Sequence, residues 1–524
     1  ALRSFTGTFA SFMVIAFSMV TGLGLAGWIG IKLSPSSVNA PTIILTLAVA
    51  DSIHILVTIF QQLRLGKSKH DAIAESLRVN LAPVFVTSVT TAIGFLSMNF
   101  SDAPPFHDLG NIVAMGVLSA FIYSVFFLPA LVAVLPLRIK EQSAAQGNSF
   151  DWLANFVVKY RKSLFWVLIV TVSGLAAGSL NIELNDDFVK YFDDRYAFRR
   201  DTDFAEKNVT GFNVIEYSLE SGESGGINDP TFLKTVEAFV DWYREQPKVV
   251  HVYALTDVMK RLNKNMHDDD EAYYTIPEQR DLAAQYLLLY EMSLPFGLDL
   301  NREINVDKSA IRIIVRMNEA SSKDLRQMDD AARNWLEANA PERMYTYGSG
   351  MSMMFAYISE RNIKSMLAAS FGALVLISGI LMISLRSVKF GFLSLIPNLA
   401  PAIMAFGIWG LAVGQVGLVV SILAALTLGI VVDDTVHFMS KYLRARREHN
   451  MTPVDAVRYS FNTVGTAMWV TTIVLVAGFM VLAFSGFELN ADMGLMTALT
   501  IVLALALDFF FLPTLLLKME EKLQ

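Results

Sequence analysis

The chain has 524 residues, of which 53% are hydrophobic and 17% charged, with a net charge of −7 and a mean hydropathy of +0.44. This balance excludes an ordinary soluble enzyme and belongs to a polytopic membrane protein. The acidic residues cluster between Asp186 and Glu342 without a basic stripe, which argues against nucleic acid as a partner, and zero cysteines exclude disulfide frameworks and thiolate metal sites.

Ten apolar segments of spanning length are read at residues 5–31, 39–60, 82–100, 108–136, 163–180, 363–385, 390–413, 417–440, 466–485 and 490–517. No cleavable leader precedes the first, and the abrupt apolar opening at Ala1 suggests a missing beginning. Lys and Arg concentrate in alternate loops: Arg64, Lys67, Lys69 and Arg78; Arg138, Lys140, Lys159, Arg161 and Lys162; Lys441, Arg444, Arg446, Arg447 and Arg458. The opposite short loops carry none, so the positive-inside rule places the basic loops and both chain ends in the cytoplasm. Residues 1–140 are then the spans of a first half. Residues 141–162 form a cytoplasmic linker and an interfacial helix, with Trp152, Leu153, Phe156 and Val157 on one face. Residues 163–180 are a further span, 181–362 an outer domain, and 363–524 the spans of a second half.

The outer domain alternates strand and helix. Strands are expected at Val214–Leu219, Val249–Tyr253 and Ile311–Val315, with helices at Pro230–Glu245 and Ser322–Asn339, and Tyr345-Thr346-Tyr347 closing the sheet. That order favours an α+β, ferredoxin-like split βαβ core. Helices at Asp257–Lys264 and Glu278–Met292 form an insertion. In the latter, Leu282, Tyr286, Leu289 and Tyr290 read first as core packing, and second as the lining of a hydrophobic opening. His251, His267 and Asp268 to Asp270 read as solvated surface.

The eighth span carries Gly429-Ile-Val-Val-Asp433-Asp434-Thr-Val-His437, and the second span a quieter copy, Asp51-Ser-Ile-His54. Asp508 adds a third carboxylate in the last span. Ionisable groups held in hydrocarbon are costly, and function is the default explanation. Asp434 and His437 share a helical face, as do Asp51 and His54, while Asp433 lies about 100° around the helix. A buried carboxyl and a buried imidazole both favour their neutral forms, and adjacent carboxylates resist ionising together, which suits groups that take up and release protons. Asp508 is expected to pack near the aspartate pair as a relay partner. The plainer alternatives are interhelical polar glue and a metal site from Asp433, Asp434 and His437, whose spacing matches no usual ligand pattern.

A shift of about 384 residues superimposes the first part of the chain on the last. Leu2-Arg3-Ser4 falls on Leu385-Arg386-Ser387, Asp51-Ser-Ile-His54 on Asp434-Thr-Val-His437, Gly94-Phe95 on Gly478-Phe479, and Phe127-Leu-Pro129 on Phe511-Leu-Pro513. The halves therefore form a parallel repeat. Thr46 and Ala50 stand where the second half has Gly429 and Asp433, and Ser124 where it has Asp508. A first helix, first outer domain and second helix, roughly 220 residues by subtraction, are expected to belong to the earlier half.

On these motifs the sequence resembles the resistance-nodulation-division (RND) superfamily, and within it the MMPL-like, hopanoid-transporter-like and Patched-like lipid exporters. The resemblance implies that Asp433 and Asp434 carry protons and that the second half does most of the coupling. It also implies a bacterial inner-membrane location with the outer domain in the periplasm, a lipid or other hydrophobic substrate, and transport rather than enzymatic catalysis. It leaves room for periplasmic or outer-membrane partner proteins and for a homo-oligomer. No P-loop is present, so a proton gradient stands in for any cofactor. The alternatives are a non-transporting lipid sensor or scaffold, and a protein-export accessory like the SecD/SecF pair.

Overall fold

Each half of the chain begins its long helices with the same local chemistry. Ser68 caps a helix by accepting from the Asp71 N–H, and its hydroxyl donates to the Asp71 carboxylate at 2.6 Å; Thr452 and Asp455 repeat the arrangement at 3.2 and 2.6 Å. Ser4 and Ser387 likewise cap equivalent helices. The computed structural model describes residues 4–136, 150–184, 188–295 and 297–521; Arg138, Lys140 and the expected polar linker at Gln142 to Ser149 lie outside them.

In chain order the first half comprises α1 (Phe5–Trp28), α2 (Ala40–Arg64), α3 (Lys69–Leu96), α4 (Pro104–Ile122) and α5 (Leu128–Val134), then α6 (Asp151–Gly178). A short strand β1 (Glu183–Leu184) follows. Next come α7 (Ala197–Asn208), β2 (Asn213–Glu220), α8 (Pro230–Arg244), β3 (Val249–Tyr253), α9 (Leu255–Asn265), α10 (Arg280–Ser293), β4 (Ala310–Met317) and α11 (Ser322–Asn339). The second half comprises α12 (Met351–Ser384), α13 (Val388–Ala412), β5 (Gln415–Val416), α14 (Leu418–Arg447), α15 (Pro453–Ala483) and α16 (Glu488–Glu521). Among the described residues, ten helical segments are long and apolar enough to cross a membrane, which makes this a multi-pass membrane protein.

The bundle unit comprises residues 1–184 and 361–524. Its repeat is visible in the packing: α3 lies on α14 while α2 lies on α15, so the halves are cross-braced. Several helices extend beyond the expected spans, α3 starting at Lys69 and α15 at Pro453, because their polar first turns continue the helix past the apolar run. Pro129 follows a π-helical turn at Tyr123–Phe127, whereas its counterpart Pro513 sits inside an uninterrupted α16.

The segment read as an interfacial helix runs on into the next span. Residues 151–178 form one helix bent at Tyr160 (φ −102°, ψ 16°). Its first turns pack Leu153, Ala154 and Val157 against α14, α15 and α16, while Trp152 is 70% exposed. The face read from sequence is thus divided, because the apolar side of the bundle, and not only lipid, covers this segment.

The second unit, residues 185–360, is ferredoxin-like. Its antiparallel sheet runs in the order β2-β4-β3, with a bulge between Val249 and His251. The Tyr345-Thr346-Tyr347 strand does not form. The fourth position shrinks to one bridge, Ser349 with Glu216, because Gly350 at φ +105° immediately turns the chain into α12. α8 opens on Asp229, whose carboxylate accepts from the Phe232 and Thr231 N–H groups and is thereby held below the usual carboxylate range. Alternate residues of β2 and β4 (Ile215, Tyr217, Ile313, Val315) meet Phe239, Val240 and Leu336 in the core.

One buried polar network ties this core together. The Tyr243 hydroxyl donates to Tyr217 Oη (2.6 Å), and Tyr217 donates to Asp329 Oδ1 (3.1 Å). The Gly348 N–H and the Tyr357 hydroxyl also donate to Asp329, at 2.6 and 2.8 Å. Burial pushes both Tyr217 and Tyr243 well above the ordinary phenol range, so neither phenol ionises near neutrality. Replacing Asp329 by Ala strands the fully buried Tyr217 hydroxyl and removes the acceptor of two half-buried donors, at a cost of about 1–3 kcal/mol. Faster hydrogen exchange across β2 and α11 in the intact chain is the expected readout.

Candidate functional site

α14 and α2 are the most enclosed of the ten spans, with 89% and 72% of their apolar windows buried. Gly429 explains how α14 comes so close to α3. A Cβ at that position would lie 3.1 Å from Thr91 Cα and 3.2 Å from its carbonyl oxygen, and the Thr91 hydroxyl donates to the Gly429 carbonyl at 2.9 Å. Gly94 on α3 faces the same contact, and its repeat equivalent Gly478 packs on Thr46 of α2. Gly429→Leu is expected to push the two helices apart and cost about 1–3 kcal/mol, read as a lower thermal midpoint in detergent, with Gly429→Ala milder.

Below this contact the two halves present matching polar groups. Asp51, on α2, accepts from the Ser88 hydroxyl of α3 at 3.1 Å; Asp434, on α14, accepts from Thr472 of α15 at 3.3 Å. Ser88 and Thr472 are themselves repeat equivalents. Asp508, fully buried on α16, accepts from Thr435 at 2.8 Å, and the corresponding pair in the first half, Ser52 and Ser124, meet at 3.5 Å. Asp508 lies close enough to bear electrostatically on both Asp433 and Asp434, so the three carboxylates of the second half form one cluster, and Asp51 of the first half bears on Asp433 as well. Between the halves the His54 and His437 rings stack face to face, 3.6 Å apart and within 5° of parallel. His437 Nε2 stands 3.5 Å from Asp433 Oδ1.

The cluster is rich in uncommitted polar atoms. Among the described residues, Asp433 Oδ1, Asp434 Oδ1, Asp508 Oδ2, His54 Nε2 and both His437 ring nitrogens are buried without a hydrogen-bond partner. Buried groups in this condition are rare outside sites of function. Ligand atoms of His54, Asp433 and His437 fall within 4.8 Å of one another. His54 here stands where the sequence reading placed Asp434. The in-plane lone pairs of two parallel rings do not converge, so a metal would require the stack to open.

Thr87 and Thr471 donate to carbonyls one turn earlier in their own helices. In the second unit, Tyr286 is buried in the core, Leu282 and Tyr290 pack against it, and Leu289 is exposed. Two groups escaped the sequence reading. Lys441, counted only as the end of the apolar run and a topology marker, is buried, and Asn80 accepts from its ammonium at 3.2 Å. The available signal was spacing: Lys441 lies seven residues after Asp434, two turns along the same face.

An apolar cavity of about 580 Å³ lies among α12, α13, α14 and the segment after α6, lined by Leu367, Phe371, Leu374, Leu399, Phe406 and Leu428. Leu428 immediately precedes the motif glycine. A second cavity of about 860 Å³ lies on the other side of α12, against Ile93, Leu96 and Phe100, and shares Phe371.

Known proteins match both halves of this arrangement. Membrane protein MJ1562 of Methanocaldococcus jannaschii is 24% identical over 300 residues, covering 56% of this chain and 73% of that protein. Two crystal structures of SecDF share the fold. One is in the super-membrane-facing form, and the other is described as a translocon-associated membrane protein from Thermus thermophilus. They are 13% and 12% identical to this chain, each with a TM-score of 0.58 over 98% of it, and the chain spans 58% of their length. The MMPL family model matches residues 1–163 and 302–520, most of the chain and every residue of the acid cluster, and the chain belongs to the MMPL family.

Proposed function

We propose that the protein is a proton-driven exporter of hydrophobic molecules, lipids such as sterols, hopanoids or fatty-acyl compounds, working in a bacterial inner membrane with the ferredoxin-like unit on the periplasmic side. The observation that carries this reading is the placement of the carboxylate cluster. Asp433 and Asp434 carry uncommitted oxygens on α14, the helix whose Leu428, five residues before Asp433, lines an apolar cavity, and Asp508 of α16 completes the cluster. Protonation of the cluster changes what α14 can bond to, and α14 in turn walls the cavity. The cavity's lining, nearly all aliphatic and aromatic, suits an acyl chain or ring system and offers little to a polar solute. One proton crossing 100 mV supplies about 2.3 kcal/mol, so strongly uphill export needs several protons or an added pH gradient.

The test is reconstitution in proteoliposomes with a fluorescent fatty-acyl lipid and an imposed proton gradient. Movement that stops when a protonophore collapses the gradient supports the reading; movement at an undiminished rate overturns it. The likeness to SecDF supports a second reading, an accessory to protein export. That reading expects gradient-dependent stimulation of precursor translocation in a reconstituted translocon and no lipid movement.

A further inference from the structure

The polar residues of α14 do not stop at the histidine. Asp434, His437 and Lys441 follow one another at spacings of three and four, a stripe along one helical face. On α2 the equivalent stripe is Asp51, His54 and Thr58. The stripes meet at the stacked imidazoles, and Asn80 of α3 joins their lower ends. Its amide donates to Thr58 Oγ1 at 2.8 Å and to the His54 carbonyl at 3.3 Å, and its Oδ1 accepts from Lys441 Nζ at 3.2 Å. The first half thus satisfies Asn80 with a neutral hydroxyl where the second half uses an ammonium.

That ammonium is in an expensive place. Lys441 is 3% exposed, and among the described residues its hydrogen-bond acceptors are Asn80 Oδ1 and the Val79 carbonyl at 3.5 Å, both neutral. A buried charge without a carboxylate contact is rarely kept for stability. The titratable and charged groups facing it are Arg444 on its own helix, Glu75 on α3, and His437 and His54. Glu75 is drawn towards Arg444, 3.5 Å away, and is chelated by Arg78. The carboxyl group on the same face is Asp434, two turns up, about 10 Å along the axis.

We infer that Lys441 is a positioning residue of the relay: a buried amine between the carboxylate cluster and the basic-loop end of the bundle, whose charge sets the pH at which the aspartates release their protons towards that end. This rests on the proton-relay reading. With the cation in place a deprotonated cluster is favoured; without it the carboxylates hold their protons to higher pH. A unit charge at about 10 Å, with an effective dielectric constant of about 20, is worth about one pH unit.

The repeat supplies the decisive variant. Lys441→Thr installs the residue that the first half carries at the equivalent position, losing the charge together with the reach to Asn80. Lys441→Met also removes the charge, and Lys441→Arg keeps it. Proton entry into pyranine-loaded proteoliposomes is followed against pH. The expected result is that Lys441→Thr and Lys441→Met both move the midpoint about one unit to higher pH, or lose proton entry, while Lys441→Arg stays with the wild type. A Lys441→Thr profile that coincides with the wild type, or failure of Lys441→Arg together with the neutral variants, overturns the inference. If wild-type proton entry is unaffected by Asp433→Asn with Asp434→Asn, the relay reading itself has failed, whatever the lysine variants do.

Discussion

The Asp433→Asn, Asp434→Asn double variant is expected to abolish uphill movement of a hydrophobic substrate while leaving the bundle assembled. Asparagine keeps the shape of aspartate and can still accept from Thr472, which bonds Asp434 at 3.3 Å. What it cannot do is gain and lose a proton. The expected magnitude follows from the driving force. Each proton removed from the cycle withdraws about 2.3 kcal/mol at 100 mV, equivalent to about a 50-fold fall in the concentration ratio the carrier can sustain. Loss of both groups withdraws both contributions. Steady-state distribution of a fluorescent lipid across proteoliposomes, with an imposed gradient and with the same gradient collapsed, measures it. A double variant that still maintains the wild-type ratio would leave the cluster as structural glue.

Much of this site could be read from the residues alone, and the reason is covalent proximity. Asp433, Asp434 and His437 lie within two turns of one helix, so helical geometry fixes their relation before any tertiary structure is known. The repeat of Asp51 and His54 was readable for the same reason, as were β2, α8, β3, β4 and α11, where strong local patterns coincide with burial. What stayed hidden depends on how distant segments meet. The stacking of His54 on His437 requires α2 and α14 to face each other, and no single-helix period encodes that. Asn80 reads as one polar residue in α3, yet it joins both stripes. The segment at 151–159 has an amphipathic pattern that fits a leaflet surface as well as a helix bundle, and only packing chose the bundle for Leu153 and Val157. Tyr345 to Tyr347 has strand-forming residues, but the turn at Gly350 leaves one residue able to pair.

Asp508 offers a sharper separation of charge from structure, because the chain contains its neutral counterpart. Ser124 occupies the equivalent place and meets Ser52 at 3.5 Å, just as Asp508 meets Thr435 at 2.8 Å. The first half is therefore assembled around a hydroxyl pair where the second half has a hydroxyl and a carboxylate. Asp508→Ser should consequently fold, leaving only a small void beside Thr435, while removing one carboxylate from the three-membered cluster. If Asp508 carries one proton per cycle, the sustained substrate ratio falls about 50-fold at 100 mV, and the number of protons taken up per substrate drops by one. If Asp508 only bonds Thr435, the ratio and the stoichiometry both stay where they are, since serine can make that bond. The reciprocal change, Ser124→Asp, adds a carboxylate to the half whose equivalent of Asp433 is Ala50. It is not expected to restore activity to Asp508→Ser, because the relay depends on adjacency to the Asp433 and Asp434 pair, and a carboxylate on α4's continuation faces Ser52 instead. Proton-to-substrate stoichiometry in the single and double variants decides whether the asymmetry between the halves is a division of labour or a relic of their duplication.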